Sequence, residues 1–187
     1  MKQSQYAEIY LCKHNLGCFE QGLALITVGN NLRGDDGVAS QIVQLLPKTQ
    51  DFCIFNLGSF TNYLSYCLHG HEAIIIIDAI FTQNSKGKVK VFNLNQSLLS
   101  GNIPNNLSSH GFSFIDELNF SGTQKLLPPI ALFFGIEINN KDGLDIISND
   151  IQKQFSSIVK QLTELILEVK NNIAKPDFIY ARNNYSQ

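Results

Sequence analysis

Ala73 to Ile77 is an alanine followed by four isoleucines, and Asp78 comes next. A run so uniformly apolar and β-branched describes a strand covered on both faces, because a strand with one wet face alternates polar and apolar residues. Helices are therefore expected on both sides of a sheet.

The flanking sequence supplies them. Leu23-Ala24-Leu25-Ile26-Thr27-Val28 reads as a buried strand broken by Gly29-Asn30, and Val38, Ile42, Val43 and Leu46 then recur at helical spacing. Pro47 ends that helix. Phe52-Cys53-Ile54-Phe55 is a second short strand, and Phe60, Tyr63, Leu64, Cys67 and Leu68 describe a second amphipathic helix closed by Gly70. Val89-Lys90-Val91-Phe92 alternates as a more exposed strand does, and Ile130 to Phe134 is a fifth strand in or near the centre. Ile151, Phe155, Ile158, Val159, Leu162, Leu165, Ile166 and Val169 form one helical stripe. This order predicts an α/β fold with a sheet of about five strands. The domain is expected over 23–175, between an N-terminal extension (1–22) and a polar C-terminal tail (176–187). Ligands of such sheets bind outside the carboxyl ends of the strands, near a topological switch point.

Charge excludes one class of partner. The 187 residues carry 14 Lys and Arg against 16 Asp and Glu, a net charge of -2, so no basic excess is available to neutralise a nucleic acid backbone. The longest apolar run, Ala73 to Phe81, contains Asp78 and is too short to cross a bilayer. With no signal-like N-terminus, the chain is expected to be cytoplasmic, without nucleic acid or membrane partners. Its four cysteines follow no tight framework and are expected as reduced thiols, Cys53 and Cys67 within the core. Cys12 and Cys18 flank a polar stretch whose spacing and ligand number fall short of the usual zinc clusters.

The chemistry gathers in three places. Gly29-Asn30-Asn31-Leu32-Arg33-Gly34-Asp35-Asp36-Gly37 leads from the first strand into a helix, but it has neither the Walker ending nor the glycine spacing of a dinucleotide fingerprint. Two carboxylates in the first helical turn also occupy the end where a phosphate would sit. Two readings of Asp35 and Asp36 stay open: helix-capping residues, or part of a site with Asp78 and His110. An Asp at the end of an apolar strand needs a partner, and His110 lies in Leu107-Ser108-Ser109-His110-Gly111, after the fourth strand. If the three loops share one sheet edge, Asp36, Asp78 and His110 form an O,O,N ligand set that suits zinc or nickel better than magnesium. His69-Gly70-His71 lies before the third strand, at the opposite end, and is expected to be a surface turn. No nucleophile elbow and no HExxH helix is present.

These segments resemble the hydrogenase maturation proteases. The resemblance rests on Val28 to Val38, on Asp78-Ala79, on Ser109-His110 with a following apolar helix, and on Phe134-Gly135-Ile136-Glu137. It implies a three-layer αβα sandwich with a twisted, mostly parallel sheet. It further implies an endopeptidase that removes the C-terminal extension of the nickel-iron hydrogenase large-subunit precursor, and that acts as a monomer. Asp36, Asp78 and His110 would recognise nickel already carried by that substrate, and zinc or cadmium would fit the same ligands. A carboxylate acting on water makes Asp36 or Asp35 the candidate catalytic residue, and Asn30, Arg33 and Gly34 the candidates for holding the loop or contacting substrate. Ala39 and Leu57 stand where the family commonly has glycine. A non-cleaving, nickel-sensing binding protein for the same precursor is the alternative.

Overall fold

The isoleucine run is the middle of a longer strand. In the computed structural model, which describes residues 22–47, 52–68, 70–83, 86–100, 112–139 and 146–174, the run belongs to β3 (Ala73–Phe81). This strand does not end at Ile77, because Asp78, Ala79 and Ile80 stay paired with Gly135, Ile136 and Glu137 of β5 (Ile130–Ile138). Asp78 therefore lies inside a strand and not in the loop expected after it.

Five strands form one sheet in the order β2-β1-β3-β5-β4. β1 (Leu23–Val28) is parallel to both β3 and β2 (Cys53–Gly58), and β3 is parallel to β5. β4 (Val89–Asn93) closes the other edge antiparallel to β5. The connections run outward from β1 to β2 and then back past β1 to β3. The carboxyl ends of β1 and β3 thus flank the switch point.

Alternation along the strands divides the apolar side chains between two cores. Leu23, Leu25, Ala73, Ile75 and Ile77 pack with α1 (Val38–Gln44), α5 (Asn149–Gln152) and α6 (Phe155–Ile173). Ala24, Ile26, Ile74, Ile76 and Ile80 pack with α2 (Leu64–Leu68), α3 (Leu94–Ser100) and α4 (Phe112–Thr123). Three layers result, as the αβα expectation requires. The stripe from Ile151 to Val169 is split between α5 and α6 by a turn at Lys153-Gln154, yet Ile151 and Ile158 still face one core.

Two expectations about cysteine and histidine change. Cys53, buried at the start of the edge strand β2, is disulfide-bonded and not a reduced thiol. Its partner is not among the described residues, since Cys67 is free and buried. His71 is not on a surface turn but buried, its ring edge-on to Phe55 at 5.7 Å between centroids. His69, the tail 176–187 and the extension up to residue 21, with Cys12 and Cys18, lie outside the described residues. No helix among the described residues is long and apolar enough to cross a membrane.

Candidate functional site

The loop after β1 is built around its own backbone. Gly29 has φ 137°, and a Cβ at this position would strike the Asp36 carbonyl oxygen, so only glycine lets the two backbones meet. The Asn30 side-chain oxygen accepts the Leu32 N–H at 2.9 Å, and the Asn30 carbonyl accepts the Arg33 N–H at 3.0 Å. Gly34, at φ 53°, opens the 3-10 turn Gly34–Gly37, which runs directly into α1. Within it, the Asp36 N–H donates to the Arg33 carbonyl at 3.1 Å, and Asp36 Oδ2 accepts the Asn30 N–H at 2.9 Å. Asp36 is only 4% exposed. Its carboxylate is aimed by the loop that carries it.

The adjacent carboxylate meets a different part of the chain. Asp35 Oδ1 accepts the Ser148 N–H at 2.6 Å, and Oδ2 accepts the Ser148 hydroxyl at 2.9 Å. Ser148 is the residue immediately before α5. Both oxygens of Asp35 are thus engaged by one residue 113 positions along the chain.

Asp78 is completely buried. By strand alternation its side chain lies on the α2–α4 face, in the row of Ile76 and Ile80. Its Oδ1 accepts the Ala79 N–H at 2.7 Å. The Gly34–Gly37 turn packs against β3, which brings the segments bearing Asp36 and Asp78 together at the carboxyl edge of the sheet. Carboxylates removed from water need donors or a cation, and oxygen ligands of this kind suit divalent metals. His110 lies outside the described residues, two positions before α4. Among the described residues no three His, Cys, Asp or Glu side chains are grouped to hold a metal. The described share of the expected ligand set is therefore Asp36 and Asp78.

Of the loop candidates, Asn30 braces the turn, and the Arg33 side chain is exposed. Two further arrangements were not legible as pairs in the sequence. Asn56 in β2 accepts from the Thr27 hydroxyl at 3.1 Å and donates to the Ser40 hydroxyl at 3.1 Å, while the Gly29 N–H donates to the Gly58 carbonyl at 2.9 Å. These bonds tie the site loop to the end of β2. Lys90 in β4 pairs at 2.6 Å with Glu137, whose side chain is 4% exposed against 51% for the lysine. β5 is apolar apart from Glu137 and has no alternation to read; the register sets Lys90 opposite Gly135 and so diagonally beside Glu137.

A family model described as hydrogenase maturation protease matches residues 38–168; the match includes Asp78 and His110 and starts just after Asp36. The hydrogenase maturating endopeptidase HybD from E. coli is similar in fold, with a TM-score of 0.66 and 17% identity over 79% of this chain and 93% of that one. A [NiFe] hydrogenase maturation protease HybD from Thermococcus kodakarensis is similar with a TM-score of 0.62 and 23% identity, over 76% of this chain and 97% of that one. No curated protein matches the sequence.

Proposed function

The chain belongs to the hydrogenase maturation protease family, and from that premise we propose that it removes the C-terminal extension of a nickel-iron hydrogenase large-subunit precursor after nickel insertion. The observation that carries this reading is the pair of buried carboxylates, Asp36 and Asp78, on segments packed together where β1 and β3 end. Nickel belongs to the substrate here. Asp36, Asp78 and His110 recognise it in the precursor, so that only a loaded subunit is cut. Zinc or cadmium fits the same oxygen and nitrogen donors.

Hydrolysis of the peptide bond needs a base to take a proton from water as its oxygen attacks the scissile carbonyl carbon, and a proton for the departing amine nitrogen. Asp36, whose carboxylate the loop directs, is the candidate for that base, with Asp35, held through both oxygens by Ser148, beside it. Asn30 and Gly34 hold the loop in shape. The exposed Arg33 is suited to a carboxylate or carbonyl of the precursor. The enzyme acts in the cytoplasm as a monomer.

Intact mass of nickel-loaded and nickel-free precursor, after incubation with the protein, tests the reading. The expected result is loss of one C-terminal peptide, with nickel only, and no loss with Asp36→Ala, Asp78→Ala or His110→Ala, each still folded. Full processing by all three variants overturns the site. A stable complex whose mass never changes replaces the protease with a nickel-sensing binding protein.

A further inference from the structure

A serine before a helix ordinarily accepts a hydrogen bond from the helix's own first N–H groups. Ser148 does not: it makes no side-chain cap bond to α5, and its hydroxyl donates to Asp35 instead. Its backbone N–H does the same at 2.6 Å. The local habit of the residue is overridden in favour of a buried carboxylate from the other end of the domain, only 2% exposed. Hydrogen bonds to a charged acceptor are the stronger kind, and two from one residue fix direction as well as distance.

Asp35 and Asp36 are consecutive in a single 3-10 turn, so anchoring one carboxylate constrains the other. We infer that Asp35 is a positioning residue: through Ser148 it locks the 29–37 loop to the start of α5 and thereby sets the direction of the Asp36 carboxylate. The consequence for catalysis rests on the proposed protease activity. The consequence for the loop does not.

Two readouts separate these. Asn30 donates its N–H to Asp36 Oδ2, so the exchange rate of that amide reports where the Asp36 carboxylate is held, independently of any activity. In the full chain, Ser148→Ala and Asp35→Asn are expected to speed Asn30 exchange by roughly tenfold. On nickel-loaded precursor they lower kcat by roughly tenfold or more and leave KM within about twofold, as misplacement of a reacting group does. Ser148→Thr keeps both donors and stays near wild type in both readouts, which a merely bulk-sensitive position would not. Wild-type Asn30 exchange and kcat in Ser148→Ala and Asp35→Asn overturn the inference, as does a Ser148→Thr defect equal to that of Ser148→Ala. If Ser148→Ala does not fold, Asp35→Asn carries the same two measurements. If wild-type protein cuts no precursor, the protease reading fails and the exchange measurement still decides the role of Asp35.

Discussion

Asp78 lies directly across the β3–β5 ladder from Gly135, so the buried carboxylate has a neighbour with no side chain. The space is taken by Ile80, two residues beyond Asp78 on the same face. A Cβ added at Gly135 would collide with the Ile80 Cδ1 and Cγ1 atoms, and would lie 2.9 Å from the Phe133 ring. Gly135→Ala is expected to destabilise the fold by about 2 kcal/mol, as overpacking does, and to lower Tm by about 4–8 °C. Ile80→Val removes the colliding Cδ1 and should recover part of the loss. A double-mutant cycle by urea unfolding measures this coupling, and strict additivity would rule the collision out.

Lys90→Met should also destabilise. It leaves the Glu137 carboxylate, 4% exposed, without its 2.6 Å cation. Removing one partner of a buried pair is costly, and the half-exposed lysine moderates the effect through solvent screening. About 2 kcal/mol is expected at pH 7. Most of it should disappear in the Lys90→Met, Glu137→Gln double variant, where a neutral amide replaces the buried carboxylate.

Burial pushes the Cys67 thiol up to about 12. The folded chain therefore keeps this proton at pH values where the unfolded chain releases it. The contribution is intact below the ordinary thiol pKa of about 8.5 and is lost as pH rises towards 12. Urea midpoints measured from pH 7 to pH 10.5 should fall more steeply for wild type than for Cys67→Ala. Mass mapping after thiol labelling at pH 8 should find Cys67 modified only in unfolded protein.

Asp150 titrates in the opposite sense. A 2.8 Å hydrogen bond from Lys86, and then the charge of that lysine, hold its carboxyl below the ordinary value. Its contribution is present above the ordinary carboxylate range and is lost as pH falls through the lowered value. Because the pair is exposed, Lys86→Ala should leave Tm at pH 7 nearly unchanged. An NMR titration of Asp150 should nonetheless show its pKa returning towards 3.8.

The layers were legible because each strand announces its own burial. The four isoleucines required helices on both faces, and the stripes of α6 on one face and α2 on the other fit. Strand ends were less legible. Asp78 reads as a break in an apolar run, but pairing with Gly135 keeps it in the ladder, a fact held by another strand's register. The antiparallel direction of β4 leaves no mark on the alternation of Val89 to Phe92, since both directions place side chains the same way. At the site, the Asp35-Asp36 pair stood out locally, while the different hydrogen-bond partners of its two carboxylates did not. That difference rests on Ser148, an ordinary serine until the fold brings it beside Asp35. His110 was singled out by its neighbours, and its placement lies beyond the described residues.

The strand order also fixes a sequence of events during synthesis. β3 and β4 both leave the ribosome before β5, the strand that lies between them. From the end of β3 to the start of β5 the ribosome adds about 50 residues, which takes roughly 3–10 s at common elongation rates. Throughout that interval, an isoleucine-rich edge has only β1 beside it, the condition under which nascent sheets recruit foreign strands. A chaperone that shields apolar segments would be needed for a few seconds per molecule, and would become dispensable once Ile130–Ile138 has been made.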